Sequence, residues 1–290
     1  MRRYCGFLVF LYTLSAFAQG RIDCDGLKSR ILSQTVHYCV LLPPSYDSAS
    51  STQYPVLYYL HGLGQDEQAL FKAGGWNVIE DLRQKHAITD FLVVTPEAKA
   101  SFYVNSADGK LRYNDFFLRE FMPYIESHYR IRRERGARGI SGISMGGYGA
   151  FHFAFAHPEL FTAVSAESAA LMSESLHELN TAIHSGTPLG RLLGSVFGDP
   201  IDEAQWRQND PFILAKENKL AIRHLAIYFN CGRDDEFDFE VGAAALHRQL
   251  DAEGIKHEFH LYPGDHSGSY FLSHLSEVIE FHSNQFRTRK

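Results

Sequence analysis

Three short apolar runs recur along this chain, and each is bounded by residues that favour turns. They cover residues 56–60 (VLYYL), 91–95 (FLVVT) and 225–231 (LAIYFNC). Strands of a parallel sheet are covered by helices on both faces, so they form continuous apolar runs of about this length rather than alternating ones. The three runs therefore predict buried strands of a parallel sheet.

Helical patterns separate the predicted strands. Phe117, Phe121 and Ile125 recur every fourth residue, which places them along one helix face. Pro123 is expected to kink this helix or to begin a new turn. Strands that alternate with helices predict an α/β fold with a mostly parallel central sheet and helices on both faces. Two further helices are predicted towards the C-terminus: residues 241–250, ending near Gly254, and residues 270–282.

The N-terminal part of the chain has a different pattern. Residues 22–32 and 35–42 are predicted strands that join tightly through Ser33-Gln34. We expect them to form an antiparallel hairpin that leads into the parallel sheet.

Two cysteines of this hairpin are expected to form a disulfide. Cys24 and Cys39 lie at nearly equal distances from the turn, and residues equidistant from a hairpin turn face each other. Their Cα atoms would then lie about 4.5 Å apart, which a disulfide tolerates. Cys231 lies on a core strand, and we expect it to remain a free, buried thiol.

The first 18 residues have the pattern of a secretory signal peptide. Arg2 and Arg3 give a positive start, residues 4–14 are mostly apolar, and residues 16–18 (AFA) predict cleavage after Ala18. The apolar run is shorter than the roughly 20 residues that a spanning helix needs, which disfavours the alternative of a membrane anchor. We therefore expect a secreted or periplasmic protein, and such compartments permit disulfides.

The rest of the chain, residues 19–290, is expected to form one domain. Of the full 290 residues, 45% are hydrophobic, which is enough for one large core. Loss of Arg2 and Arg3 takes the net charge from −6 to −8, which does not favour nucleic acid or an anionic membrane as a partner. The glycine spacing of a phosphate-binding loop is missing, so no cofactor is predicted.

The histidines do not predict a metal site. The closest pair, His257 and His260, lies on a predicted strand and lacks the i, i+4 spacing of helical ligands. We interpret both as ordinary strand residues rather than zinc ligands.

One pentapeptide indicates nucleophilic catalysis. Gly142-Ile143-Ser144-Met145-Gly146 fits the pattern G-x-S-x-G and lies between a small apolar strand and the helix-like run 148–156. This strand–turn–helix context is the nucleophile elbow, in which a sharp turn presents the serine above the sheet edge. The motif alone recurs by chance, so its interpretation depends on partner residues.

A serine hydroxyl needs a base to become a good nucleophile, and the base needs an acid to orient it. In folds that contain the nucleophile elbow, the three residues follow in the order Ser, acid, His along the chain. His266 comes after the predicted strand 257–261 and is the expected base. The acid is expected directly after the strand 225–231. Four carboxylates crowd that loop: Asp234, Asp235, Glu236 and Asp238. One of them is the expected acid, and the other three are interpreted as solvated charges.

A negatively charged reaction intermediate needs preorganised backbone N–H groups. Met145 follows the nucleophile and is expected to supply one. The loop after strand 56–60 carries the sequence HGLG, and Leu63 within it is expected to supply the other.

Together these segments resemble the putative-esterase family of α/β-hydrolases, which includes esterase D (S-formylglutathione hydrolase), tributyrin esterases, feruloyl esterase domains and mycolyltransferases. The likeness covers nearly all of residues 19–290, and the elbow with its following helix is the most specific match. The matching segments are YPVLYYLHGLG, YNDFFLREFMPYIESHYRI, GISGISMGGYGAFHFAFAHPELF, CGRDDEF and YPGDHSGSYF.

The resemblance implies an α/β-hydrolase fold and assigns the acid. In that family the acid is usually the third residue after the glycine of the CG turn, which is Gly232 here, so the role falls to Asp235, with Asp234 in reserve. The segment 169–216 is where relatives vary and form the substrate pocket.

The expected function is that of a secreted serine carboxylic-ester hydrolase with a Ser-His-Asp triad and an acyl-enzyme intermediate. Its substrate would be a small-molecule or carbohydrate-linked ester, and export argues against the intracellular glutathione-thioester role. Acyl transfer to an alcohol, as in mycolyltransferases, is the main alternative. An inactive ligand-binding relative is disfavoured because Ser144, His266 and an acid are all present, and no feature indicates a peptidase.

Overall fold

The computed structural model describes residues 19–287, so the predicted signal peptide at 1–18 lies outside the described residues. An eight-stranded sheet runs through the molecule in the order β1-β2-β4-β3-β5-β6-β7-β8. Strands β3 to β8 are mutually parallel, whereas the β1–β2 hairpin is antiparallel and joins the sheet through β4. The strands are β1 (Arg21–Ser29), β2 (Gln34–Leu42), β3 (Val56–Leu60), β4 (Leu92–Pro96), β5 (Arg138–Ile143), β6 (Ala163–Glu167), β7 (Ala226–Gly232) and β8 (Glu258–Tyr262).

Helices cover both faces of this sheet. One apolar core includes side chains of α1, α2 and α12, and a second includes side chains of α4, α5, α9 and α11 on the opposite face. The helices are α1 (Ala69–Lys72), α2 (Gly75–Gln84), α3 (Tyr113–Phe116), α4 (Met122–His128), α5 (Met145–Ala156), α6 (Leu176–His184), α7 (Pro188–Phe197), α8 (Glu203–Asn209), α9 (Pro211–Glu217), α10 (Lys219–Ile222), α11 (Phe239–Ala252) and α12 (Gly268–Arg287). The predicted α/β architecture with helices on both faces is confirmed. Within residues 19–287 we find no helix with the length and hydropathy needed to cross a bilayer.

The predicted parallel strands lie where the apolar runs placed them. β3 has the predicted bounds, and β4 and β7 begin and end one residue later than predicted. Every residue of β3 and β4 is buried. Burial on both faces is therefore the physical reason for the continuous apolar runs.

The hairpin has the predicted register but a shorter first strand. The prediction that this strand extends to residue 32 is wrong, because β1 ends at Ser29 and residues 30–33 form the turn. The backbone N–H groups of Arg30 and Ile31 donate to the Glu120 carboxylate at 3.1 and 3.3 Å, and the Ser29 hydroxyl donates to it at 2.5 Å. These turn amides thus bond to a side chain from another segment and not to β2.

The helix around Pro123 is interrupted, as its proline predicts. α3 passes into a π-helical turn at Phe117–Phe121, and α4 begins at Met122 with Pro123 in its first turn. Proline has no N–H to donate to the preceding turn, and a wider π turn accommodates that loss. Phe121 and Ile125 still face the core and are fully buried.

The hairpin register places Cys24 directly opposite Cys39, and the two form a disulfide with a Cα–Cα distance of 4.1 Å. Cys231 is free and buried in β7, and burial raises the pKa of its thiol to about 12.

We therefore expect protein that begins at residue 19 to titrate one thiol per chain when denatured without reductant, and three after reduction. Three thiols before reduction would contradict the disulfide.

The same bridge should stabilise the fold, because it closes a 15-residue separation and restricts the unfolded chain. In the chain-entropy model the effect is about 3 kcal/mol. Denaturant unfolding of a Cys24→Ser/Cys39→Ser variant measures it, and a Cys231→Ser variant shows the cost of removing a cysteine that is not bridged. Equal midpoints for the double variant and the unaltered protein would contradict a stabilising role.

Candidate active site

Ser144 lies in the sharp turn between β5 and α5. Its backbone angles are φ 55° and ψ −120°, a region that residues with a side chain rarely adopt. Its N–H donates to the Glu167 carbonyl at the end of β6 (2.9 Å). The sheet thus holds the elbow in place at the carboxyl ends of its strands.

The two glycines of the motif are required by close backbone contacts. A Cβ atom at Gly146 would lie 2.1 Å from the Leu60 carbonyl oxygen, and one at Gly142 would lie 2.3 Å from the Gly146 carbonyl group. Neither contact can be relieved by a side-chain rotation, because the opposing atoms belong to the backbone. The G-x-S-x-G spacing is therefore a steric condition for packing α5 against β3 and β5.

The structure brings Ser144, His266 and Asp235 together although they are far apart in sequence. The Nε2 atom of His266 lies 2.9 Å from the Ser144 Oγ, and its Nδ1 lies 2.7 Å from the Asp235 Oδ2. An ionised carboxylate only accepts, so Nδ1 carries the proton and Nε2 is free to accept from the serine hydroxyl. His266 thus lies between Ser144 and Asp235 in space, although it is the last of the three in the sequence.

The loop after β7 places Asp235 and its neighbour Asp234 in different surroundings. The Asp235 side chain is fully buried against the imidazole, whereas Asp234 is exposed and its N–H donates to the Gly264 carbonyl. Burial opposes ionisation of Asp235, but hydrogen bonds from His266 and from the Phe237 N–H outweigh it and lower the pKa of this carboxyl. Asp235 is therefore held ionised beside the imidazole.

Other side chains fix the histidine loop, and their role was not predicted from the sequence. Glu236, interpreted as a solvated charge, accepts the His266 backbone N–H at 2.8 Å. The rings of Phe237, Phe239 and Phe271 meet the imidazole edge-on, with centroids 5.0–5.3 Å away. The alternation of acidic and aromatic residues after Asp235 is the sequence signal that could have revealed part of this arrangement.

The loop after β3 lies beside Ser144. The Ala98 N–H donates to the Nε2 of His61, so the Nδ1 of His61 must carry the proton and donate to the Gly62 carbonyl (2.8 Å). Burial lowers the pKa of His61, which keeps the ring neutral in this bridging role. The Gly62 N–H donates to the Gln65 side chain (2.9 Å). His61 thus ties the loop to the segment after β4.

The two residues predicted to supply backbone N–H groups, Leu63 and Met145, line the same pocket as Ser144. Met145 is the first residue of α5, so its N–H is one of those left without a partner inside the helix. The pocket has a volume of about 300 Å³ and is mostly apolar. Ala170 and Leu189, from the predicted variable segment, contribute to its wall. Its larger apolar lining residues are Leu63, Phe102, Ile143, Leu189, Phe237, Phe239 and Phe271.

Comparison with known proteins shows which family this chain matches. The model of the putative esterase family matches residues 29–282. An esterase of Mycobacterium tuberculosis is 30% identical over 244 residues, covering 78% of this chain and 51% of the relative. An acetyl esterase of Caldicellulosiruptor saccharolyticus is 26% identical over 230 residues, covering 78% of this chain and 82% of the relative.

The solved structure of a ferulic acid esterase superposes with a TM-score of 0.79 and 26% identity, covering 92% of this chain and 99% of that one. The chain spans about half the length of the Mycobacterium tuberculosis esterase that it matches.

The contact between His266 and Asp235 can be tested without a substrate. We expect the Nδ1 proton of His266, held at 2.7 Å from the carboxylate, to give a strongly deshielded signal in proton NMR. Asp235→Asn should remove this signal, because the neutral amide no longer holds the proton in a charge-assisted bond. Asp234→Asn is the matched control, and a signal lost only in that variant would move the acid to Asp234.

Proposed function

The chain belongs to the putative esterase family, and on this basis we propose that it hydrolyses carboxylic esters through Ser144, His266 and Asp235. The observation that carries this proposal is the continuous hydrogen-bonded chain from the Ser144 hydroxyl through the imidazole to a buried carboxylate. This arrangement lowers the barrier for nucleophilic attack by a hydroxyl that is otherwise a poor nucleophile.

In the first step the Ser144 Oγ attacks the ester carbonyl carbon while the His266 Nε2 takes the hydroxyl proton. The N–H groups of Leu63 and Met145 would stabilise the oxyanion that forms, an effect whose loss costs about 10²–10³ in rate per donor in other serine hydrolases. The intermediate collapses when His266 donates the proton to the leaving alkoxide, which departs as the alcohol. Ser144 then carries the acyl group.

In the second step water replaces the alcohol. His266 accepts a proton from the water, whose oxygen attacks the acyl carbonyl, and the carboxylic acid leaves as the proton returns to the Ser144 Oγ. Asp235 remains ionised throughout and stabilises the imidazolium that forms in both steps. An alcohol in place of water would give acyl transfer, so product analysis with an added alcohol separates the two outcomes.

The pocket favours an acyl or alcohol group with apolar or aromatic character. Phe237, Phe239 and Phe271 surround the imidazole, and Leu63 and Leu189 contribute further apolar surface. Aromatic rings bind in such sites through edge and offset contacts. The similarity to a ferulic acid esterase supports an aromatic acyl group as one class of substrate to examine.

We propose that the protein is exported before it acts. The positive start, apolar run and AFA site at residues 1–18 support a signal peptide. The Cys24–Cys39 disulfide supports an oxidising compartment.

Ser144→Ala should lower kcat for an aryl acetate by about 10³–10⁶-fold, because it removes the nucleophile. The fold should remain intact, since the Ser144 backbone N–H still donates to Glu167. Ser195→Ala is the matched control: this exposed hydroxyl donates only to the Leu192 carbonyl of its own helix. Near-normal turnover in the Ser144 variant would refute the nucleophile assignment.

Phe237→Ala should lower kcat/KM for esters of aromatic acids by roughly 3–10-fold, the equivalent of about 0.5–1.5 kcal/mol for a lost aromatic contact. Acetyl esters should be affected less, because an acetyl group has no ring to make an aromatic contact. Phe237 is 55% exposed, so its removal should leave stability nearly unchanged. Leu220→Ala, at a 69% exposed residue of α10, is the control; equal losses for both ester classes would argue against an aromatic subsite.

A further inference from the structure

A cluster of metal-ligating side chains lies away from the proposed active site. His247 and Asp251 are one helical turn apart on α11, and His257 lies directly before β8. The three side chains each offer a ligand atom, and these atoms all lie within 4.8 Å of one another. The fold thus brings together residues from two elements that no short sequence motif connects.

The buried member of the cluster is already oriented for coordination. The His257 side chain is 3% exposed, and its Nδ1 lies 2.8 Å from the Ile255 carbonyl oxygen. A carbonyl only accepts, so Nδ1 carries the proton and Nε2 presents a lone pair to His247 and Asp251. Metal-binding histidines almost always donate their other N–H to such an acceptor, which fixes the ring and raises its basicity.

The distances suit a small ion. Zinc binds nitrogen and oxygen ligands at about 2.0–2.2 Å, and tetrahedral geometry then separates neighbouring ligand atoms by roughly 3.3–3.6 Å. Asp251 oxygens lie 3.5 Å from the His247 Nε2 and 3.9 Å from the His257 Nε2. The His247 Nδ1 lies closer to the His257 Nε2, at 2.7 Å, where it donates a hydrogen bond. An imidazole binds an ion through one nitrogen, so the His247 ring, which is 38% exposed, must turn and give up this hydrogen bond for its Nε2 to share an ion with the His257 Nε2.

The geometry points to a binding site for a divalent transition-metal ion, and we propose that His247, Asp251 and His257 bind zinc. Two imidazoles and one carboxylate favour zinc over calcium or magnesium, which prefer all-oxygen ligands. Asp251 is 64% exposed, so water can complete the coordination. The site would join the C-terminal end of α11 to the start of the edge strand β8.

This site is separate from the ester chemistry. His257 precedes β8 and His266 follows it, so the five-residue strand lies between them, a length of roughly 16 Å. His260, the other histidine that the sequence analysis considered, hydrogen-bonds to Glu258 and is not part of the cluster. Zinc binding and ester hydrolysis would therefore depend on different residues, so the loss of one would not imply the loss of the other.

Zinc binding to chelator-treated protein that begins at residue 19 can be measured by competition with a chromophoric chelator. We expect one saturable equivalent and a rise in melting temperature with zinc concentration, because the ion binds the folded state. His247→Gln and Asp251→Asn should each weaken binding at least 10-fold; both change side chains on the helix surface, so the variants should fold. His260→Gln is the matched control and should bind zinc like the unaltered protein.

Cobalt binding tests the geometry of the site, and an assay of ester hydrolysis tests whether the site is separate from the triad. Cobalt should give the intense visible absorption of a tetrahedral site, and this absorption should be lost in His247→Gln. Ester hydrolysis should be unchanged by one equivalent of zinc. Absence of saturable binding, or equal affinity in the His247, Asp251 and His260 variants, would overturn the proposal. It would also be overturned if His266→Gln abolished binding, since the ion would then bind at the proposed triad.

Discussion

The backbone conformation at Ser144 is the constraint on which the rest of the site depends. A residue with φ 55° and ψ −120° carries strain on the order of 1–3 kcal/mol, and such strain persists only where surrounding structure enforces it. Here the Ser144 N–H bonds to Glu167 of β6, and the Gly146 backbone packs directly against Leu60 of β3. Three neighbouring strands and α5 therefore determine where the Ser144 hydroxyl lies, and the loops that carry His266 and Asp235 are placed relative to it.

Two carboxyl groups near the elbow have opposite ionisation behaviour, and their surroundings explain why. Hydrogen bonds from His266 and the Phe237 N–H lower the pKa of Asp235. The Glu167 side chain is fully buried, and its contact with the Asn230 side chain offsets that burial only in part. Burial, together with the charge of Glu277, raises the pKa of Glu167 well above its usual value. Burial thus favours the neutral form of the Glu167 carboxyl, whereas the surroundings of Asp235 favour its ionised form.

Features that depend on neighbours in sequence were predictable, and features that depend on packing were not. The elbow, the hairpin register and the Cys24–Cys39 pair follow from spacing along a few residues, because turns and strand pairing are local. The choice between Asp234 and Asp235 came from a family resemblance, since both side chains belong to one loop and only the folded loop buries one of them. Phe271 reaches His266 from α12, and His247 and His257 come from two elements, so no sequence spacing records these contacts.

The edge strand β8 shows how the position of His266 depends on packing far from Ser144. β8 pairs with the sheet on one side only, through β7, and its residues are exposed or half-buried. The hydroxyls of Tyr228 on β7 and Tyr262 at the end of β8 both donate to Glu277 of α12, at 2.6 and 2.9 Å. Burial opposes ionisation of Glu277, but these bonds and one from His274 outweigh it and lower the pKa of the carboxyl.

An ionised acceptor strengthens both tyrosine bonds, so α12 holds the end of β8 from which the histidine loop departs. The opposite end of β8 approaches α11 through His257 and His247. An edge strand with a single paired neighbour has few ladder hydrogen bonds to resist displacement, and side-chain contacts at both of its ends compensate for this. The 2.9 Å distance between the His266 Nε2 and the Ser144 Oγ is therefore a property of the whole β7–β8–α11–α12 unit and not of the histidine loop alone.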